Sequence, residues 1–372
     1  MRVAIVHDWL NGMRGGEKVL EGLLEIFPNA VIYTLFYERG KVSPLIESRK
    51  IVTSWLNQVP GIYRHYRNLL PLFPSAAASF RLSEFDLVIS SSHAVAKGIQ
   101  AEKSRHICYC HTPMRYVWDA EEDYSFGRLH RMGMQFLRHR LQRWDCEAAA
   151  GVGHFIANSK FVRERIHAYY GREAEVIYPP VDTQFFTPDV TSADRDDFYL
   201  AAGALVPYKR FDLIIEAFRR LKRPLVIAGV GAELNNLKKS AGGSIEVRGW
   251  VTADELRSLY RKARGLVVAA REDFGIMSVE AQACGCPVIA YGAGGSSEIV
   301  ADGTNGILFA EQHADDIVQA IQRFESMTWP VEQVRSHVET FSGEAFQTQI
   351  RTFITRRTGI QPPNRLRELQ PA

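Results

Sequence analysis

Cysteine is scarce in this 372-residue chain: there are five, four of them in the close pairs Cys108-x-Cys110 and Cys284-x-Cys286. So few thiols in so long a chain exclude a disulfide framework and suit a reducing, cytoplasmic setting. Neither pair is a CxxC knuckle, so the spacing supplies no zinc site, and small buried thiols are expected instead. A charge excess is missing too. Forty-five Lys and Arg against 42 Asp and Glu leave +3, too little for wholesale nucleic-acid binding. No apolar run approaches the ~20 residues that span a bilayer, and there is no short-period repeat or low-complexity tract. What remains is ordinary globular composition, 46% hydrophobic and 23% charged with 28 Gly and 16 Pro, which excludes a disordered or collagen-like chain. At roughly 150 residues per domain, two domains are expected. Met1-Arg2-Val3-Ala4-Ile5-Val6-His7-Asp8 enters a strand at once and leaves no room for a signal peptide.

Short apolar runs alternate with longer helical patterns, which is the sequence form of repeated βαβ units in parallel sheets. In the first half the runs Val3 to His7, Val31 to Phe36, Leu87 to Ser90, His106 to Cys110, Phe155 to Asn158 and Val176 to Tyr178 read as strands. Glu17 to Phe27 and Gly127 to Ala149 read as helices between them. The pattern then restarts, with six further strands from Phe198 to Ala202 through Ile307 to Phe309 and helices beginning near Phe211, Thr252, Ile276 and Ala314. Between the halves, Tyr178-Pro179-Pro180-Val181-Asp182 and the polar stretch Thr191 to Asp197 mark a linker, because consecutive prolines forbid helix. Gly343 to Thr358 reads as a last amphipathic helix, followed by a frayed tail. The expected division is 1–182, 183–342 and 343–372.

Glu272-Asp273-Phe274-Gly275-Ile276-Met277-Ser278-Val279-Glu280 carries the strongest chemical signal, two carboxylates eight residues apart where a strand gives way to a helix. The unbonded amides of that helix start, around Ile276 and Met277, suit an anion such as a diphosphate. Glu280 can accept from vicinal hydroxyls such as those of ribose, and Glu272 points at whatever the phosphate carries. The same carboxylates could instead do no more than complement the helix dipole. In Gly203 to Asp212 the adjacent Lys209 and Arg210 can neutralise a departing diphosphate. Cations at a helix start oppose the dipole, so a simple solvated pair is the weaker explanation. In the first half, Asn11 to Glu17 with Gly15 and Gly16 is a glycine loop able to wrap a sugar or phosphate, though not a GxGxxG fingerprint. His111 follows a strand's carboxyl end, the edge at which open α/β sheets bind ligands.

Gly127 to Trp144 contains Arg128, Arg131, Arg138, Arg140 and Arg143 without one acid, interleaved with Leu129, Met132, Phe136, Leu137 and Leu141. Trp55 to Phe73 likewise mixes aromatics with bases. Both could face anionic lipid headgroups, or be core helices with one solvated basic face.

Together these residues resemble the retaining glycosyltransferases of family 4, over nearly the whole chain. The most specific match is the Glu-x7-Glu pair Glu272 and Glu280, supported by Gly203 to Lys209, Gly229-Val230-Gly231, Arg248-Gly249-Trp250-Val251, Ala281 to Pro287 and Gly294 to Glu298. The resemblance implies the GT-B fold, two Rossmann-like α/β domains with parallel sheets facing a cleft, and a last helix crossing back to the first domain. It implies a nucleotide sugar held mainly by the second domain, with Glu280 on ribose and Lys209 on the diphosphate. Glu272 and the amides of Phe274, Gly275, Ile276 and Met277 then hold the sugar and phosphate. Backbone groups near Trp250 and Val251 read the base, Arg248 belongs to the donor-binding set, His111 stands at the reacting sugar, and Gly15 and Gly16 close over the donor. Where family members often have Gly-Arg-Leu, this chain has Gly203-Ala204-Leu205, so one diphosphate cation is missing and Arg210 is its candidate replacement.

Leu205 to Arg210, Tyr109 to Tyr116 with Trp118-Asp119, and Ala157-Asn158-Ser159 look most like bacterial mannosyltransferases of O-antigen and exopolysaccharide assembly. That resemblance implies GDP-mannose as donor, a polyprenyl-diphosphate-linked acceptor, no metal or other cofactor, and peripheral contact at the inner face of the cytoplasmic membrane. A leaving phosphate oxygen can take the acceptor's proton. Another sugar nucleotide (UDP-glucose, UDP-N-acetylglucosamine or dTDP-rhamnose) is the alternative within the class. Ala204 also motivates a catalytically silent nucleotide-sugar-binding protein, against which both glutamates argue.

Overall fold

The computed structural model describes residues 1–119, 128–189 and 195–363, with the backbone alone for 128–136. Gly127, the polar stretch from 191 to 194, the side chains of Arg128 and Arg131 and the tail beyond 363 lie outside the described residues. Two compact units result, one gathering the chain up to Pro180 together with Gly343 onward, the other Val181–Ser342.

In the first unit β1 (Val3–His7), β2 (Val31–Thr34), β3 (Ile51–Thr53), β4 (Leu87–Ser92), β5 (His106–Cys110), β6 (His154–Ala157) and β7 (Ala174–Val176) form one parallel sheet in the order β3-β2-β1-β4-β5-β6-β7. All five residues of β1 are buried, because helices and loops cover both faces, and this is why Val3 to Val6 is apolar without alternation. On one face Val3 and Ile5 pack with Leu20, Leu23 and Leu24 of the helix Gly15–Ile26 and with Phe346, Ile350 and Phe353 of the closing helix Gly343–Thr358. On the other, Ala4 and Val6 meet Tyr33, Phe80 and Phe85. The closing helix approaches so tightly that a Cβ on Gly22 would lie 2.8 Å from a ring carbon of Phe346.

The second unit repeats the plan. Strands β8 (Tyr199–Ala202), β9 (Leu225–Ala228), β10 (Ile245–Gly249), β11 (Leu266–Val268), β12 (Val288–Tyr291) and β13 (Gly306–Phe309) are ordered β10-β9-β8-β11-β12-β13, again all parallel. The helices Phe211–Leu221 and Ala314–Glu325 cover one face through Ile214, Phe218, Ile317, Ile321 and Phe324.

In both sheets the chain winds to one edge, returns to the centre and winds to the other. The reversal falls between β1 and β4 and between β8 and β11. Carboxyl ends at such a reversal splay their loops apart and leave a crevice, the usual ligand position in open α/β sheets.

The structure departs from the sequence expectation at several elements: the strand expected from Val176 to Tyr178 instead runs Ala174–Val176, ahead of the two prolines. The edge strand β3 has three residues, too few to show a period along the chain. The strand expected from Val31 to Phe36 ends at Thr34. Gly15 and Gly16, expected in a loop, instead open the helix Gly15–Ile26. All five cysteines are unpaired, and Cys108, Cys110, Cys284 and Cys286 are buried. No helix among the described residues is long and apolar enough to cross a membrane.

Candidate active site

At the reversal of the second sheet, the loop after β8 brings Lys209 and the loop after β11 brings Glu272, and the two form an ion pair. Their side chains are only 17% and 15% exposed, so the charges interact in a medium less screening than water. Lys209 also lies 5.3 Å over the Tyr208 ring. Arg210, with a left-handed φ of 53°, turns the chain into the helix Phe211–Leu221 and pairs with Asp212.

The loop bearing Glu272 is held against the loop after β12. Gly295 N–H donates to the Glu272 carbonyl at 2.8 Å. Gly275 then takes φ 105°, a region side-chain-bearing residues rarely adopt, and opens the helix Ile276–Ala283. Phe274 is buried against Phe341, with ring centroids 5.6 Å apart. Ile276 and Met277 stand at the helix start beside Lys209's loop, where a Cβ on Gly203 would lie 3.4 Å from the Met277 sulfur. Glu280 accepts from the Tyr260 hydroxyl at 3.2 Å. Burial and the Glu280 charge push the Tyr260 phenol well up, so it remains a donor. Arg248, at the end of β10, pairs with Glu246 on its own strand. Val251 is half-buried beside Trp250, which is 69% exposed.

The reversal of the first sheet gathers three histidines. His7 ends β1, and its Nδ1 lies 3.1 Å from the Ser91 hydroxyl of β4, which in turn lies 2.8 Å from His111 Nε2. Glu17, inside the helix Gly15–Ile26, faces His7 Nε2 at 3.7 Å and accepts from Arg14 N–H at 2.8 Å. A Cβ on Gly16 would come 3.2 Å from His7 and 3.6 Å from His111, so glycine lets the helix start press against both rings. Burial, then the neighbouring His7 and His93, lower the His111 pKa to about 3, so its ring is neutral at ordinary pH.

Asp8 and His93 were not singled out by the sequence. Asp8 is fully buried, and its carboxylate accepts four consecutive backbone N–H groups, His93 at 2.6 Å, Ala94 at 3.0 Å, and Val95 and Ala96 at 2.7 Å each. The His93 ring adds Nδ1 at 3.0 Å. Burial alone would raise the Asp8 pKa, but His93, through its charge and hydrogen bonds, outweighs it and holds the carboxyl well below the usual range. The loop is also braced from behind. Lys97 Nζ donates to the Ala94 carbonyl at 2.8 Å and pairs with Asp145 at 2.5 Å. Asp145 accepts in addition from Trp118 and Tyr170. Along the chain Asp8 is simply the residue that follows β1, with no signal of its partners. Of the basic helix Arg128–Gly151, Arg138 donates to the Val117 carbonyl and is half-buried, whereas Arg140 and Arg143 are exposed.

Among the described residues there is no group of three or more His, Cys, Asp or Glu placed to hold a metal ion.

The family described as Glycosyltransferase Family 4 matches residues 15–185, and that described as Glycosyl transferases group 1 matches residues 182–338. Together these matches run from residue 15 to residue 338 and support a glycosyltransferase of the family 4 kind. It is similar to an uncharacterized glycosyltransferase of Methanocaldococcus jannaschii, 33% identical over 45% of this chain and 48% of that one. It is also similar to a D-inositol 3-phosphate glycosyltransferase of Paenarthrobacter aurescens, 32% identical over 46% and 48% of the two chains. The alignments thus cover about half the length of these relatives. As a fold, the chain resembles the Anabaena HepE structure in complex with UDP and glucose, with a TM-score of 0.69 and 16% identity over 95% of this chain and 99% of that one. Its two parallel-sheet units are therefore those of the GT-B fold.

Proposed function

We propose that this chain is a retaining hexosyltransferase that moves mannose from GDP-mannose to a polyprenyl-diphosphate-linked oligosaccharide in cell-surface polysaccharide assembly. The observation that carries sugar transfer is Lys209 set against Glu272 at the reversal of the second sheet, with the helix start at Gly275 and Glu280 one turn inside it. Lys209, Arg210 and the amides of Gly275 to Met277 take the charge of the departing diphosphate. Glu280 accepts from the ribose hydroxyls, Glu272 and Phe274 hold the sugar and phosphate, and backbone near Arg248 and Val251 meets the base. His111 stands at the reacting sugar, with Gly15 and Gly16 beside it. The bond between the anomeric carbon and the diphosphate oxygen breaks through an oxocarbenium-like state. The acceptor hydroxyl adds from the same face and sheds its proton there, so configuration is retained. Residues 1–182 serve the acceptor, 183–342 the donor, and 343–372 complete the first unit. Exposed Arg140 and Arg143 bring the protein to the anionic inner face of the cytoplasmic membrane.

The choice of GDP-mannose rests on the resemblance around Tyr208-Lys209-Arg210 and His111 to Asp119. A UDP-sugar is the second reading, favoured by the UDP and glucose bound to Anabaena HepE. A thermal-shift panel of GDP-, UDP- and dTDP-sugars, followed by turnover, separates these. A ligand at 100 times its dissociation constant adds about 2.7 kcal/mol of stability. Stabilisation by UDP-sugars and not by GDP-mannose overturns the mannose assignment. Binding without turnover overturns transfer.

A further inference from the structure

We propose that Thr112 and Asn158 form a subsite for sugar hydroxyls at the carboxyl edge of the first sheet, where the carbohydrate part of the acceptor is read. The assignment deepens the transfer reading above and rests on it.

Thr112 and Asn158 are each only 6% exposed, yet Thr112 Oγ1 and Asn158 Oδ1 have no hydrogen-bond partner among the described residues. Buried polar atoms are almost always bonded, and leaving one unpaired costs stability, so each exception calls for a reason. Local structure supplies none. Asn158 stands just ahead of the helix Lys160–Tyr170, but Ser159 is the residue that caps it, accepting from Val162 N–H at 3.0 Å. The short helix Arg115–Trp118 follows Thr112 and starts from Met114 with no side-chain cap. Neither orphan group is therefore taken up by a helix end.

The sheet sets the two side by side. Strands β5 and β6 are neighbours with Cys110 opposite Ala157, and one step further on Asn158 N–H still donates to the Cys110 carbonyl at 3.4 Å. Thr112 is two residues past Cys110, and Asn158 is one past Ala157. Both thus stand at the carboxyl ends of strands spaced about 4.8 Å apart, a gap that hydroxyls of one pyranose ring can span. This is also the edge at which open α/β sheets present their ligands.

The chemistry of the pair selects the ligand. A threonine hydroxyl donates and accepts, and so does an asparagine amide, which matches sugar hydroxyls that do the same. Neither carries charge. His111, the residue before Thr112, adds no cation, because burial and then His7 and His93 lower its pKa to about 3. A phosphate is bound best by charged donors, so a neutral polyol fits the pair better. Polar groups kept buried and unpaired at a cost to stability are what a binding site, and not a core, retains.

The test uses the full chain with the variants Thr112→Val and Asn158→Leu, and takes methyl α-mannoside, methyl α-glucoside and inorganic phosphate as probes. Thermal melting gives stability, and saturation-transfer NMR titration gives affinity. Replacing an unbonded polar group by an apolar one of similar size removes its penalty, so both variants should melt at or above the parental temperature. Affinity for the glycoside that the parent binds should fall about tenfold in each, the scale of one lost hydrogen bond, and phosphate should not compete. Unchanged affinity or a lowered melting temperature in either variant assigns a structural role and overturns the inference. A parent that binds neither glycoside, or from which phosphate displaces them, overturns it as well. The transfer reading fails on separate evidence, a parent that neither binds nor turns over GDP-mannose or UDP-glucose.

Discussion

Lys209 and Glu272, 63 positions apart in the chain, are ion-paired where the second sheet reverses its strand order. Each arrives on a loop from one of the two central neighbouring strands, β8 and β11. The pair ties the loops together and sets a cation beside the helix start at Gly275.

Removing Lys209 separates its catalytic role from its structural one. Lys209→Ala is expected to lower kcat by roughly 10²-fold, the scale on which a transition state suffers when one preorganised charge is taken away. Because Glu272 is then left largely buried without its cation, the melting temperature falls as well. The double variant Lys209→Ala with Glu272→Gln should recover the stability and not the rate. A double variant that regains turnover would reduce the pair to a loop clasp. EDTA should leave the parental rate unchanged.

Gly22 sits inside a helix, where propensity alone favours alanine by up to about 1 kcal/mol. Its hypothetical Cβ lies 2.8 Å from Phe346 and 3.1 Å from Pro180, so packing opposes propensity. Gly22→Ala should therefore destabilise, by about 1–3 kcal/mol, in urea unfolding. Stabilisation would show that the closing helix does not hold this position. Deleting the chain from Gly343 removes Phe346, Ile350, Phe353 and Ile354 from the core and should leave no soluble folded protein.

Acid should weaken the fold before the carboxylates titrate. Burial lowers the His106 pKa from 6.5 to about 4, and burial with His7 and His93 lowers that of His111 to about 3. Both are depressed in the folded state, so the stability they confer is complete above pH 6.5 and is lost as pH falls toward these values. Each can contribute a slope of up to about 1.4 kcal/mol per pH unit in that window. Urea unfolding from pH 7.5 to 4.5 should show stability declining from about pH 6.5, with a shallower decline in His106→Gln. A flat profile down to pH 4.5 would contradict the buried neutral rings.

Contact with a membrane, if electrostatic, must respond to salt. Binding to vesicles of anionic lipid should weaken as ionic strength rises past the point where screening acts within about 8 Å, and should drop in Arg140→Glu with Arg143→Glu. Arg138, held to the Val117 carbonyl, should matter less in this assay. Binding that ignores both salt and these substitutions would point to another surface.

Much of this protein was legible along the chain. Apolar runs of strand length separated by helical patterns determined two parallel α/β units, because burial on both faces demands uninterrupted apolar strands. Glu272 and Glu280 were legible because their spacing and the glycine between them belong to one loop and one helix. Local order of this kind needs only neighbouring residues. By contrast, the join between Lys209 and Glu272, the Ser91 bridge from His7 to His111, and the five hydrogen-bond donors around Asp8 depend on which strands lie side by side. His93 is 85 residues from Asp8, and no period or spacing records that β4 returns to the flank of β1. Gly22 carries the same lesson, since only the return of Phe346 from the far end of the chain explains it. Sequence determined the elements and their chemistry, while the reversal of strand order, a long-range choice set by the packing of helices on both sheet faces, decided which side chains meet.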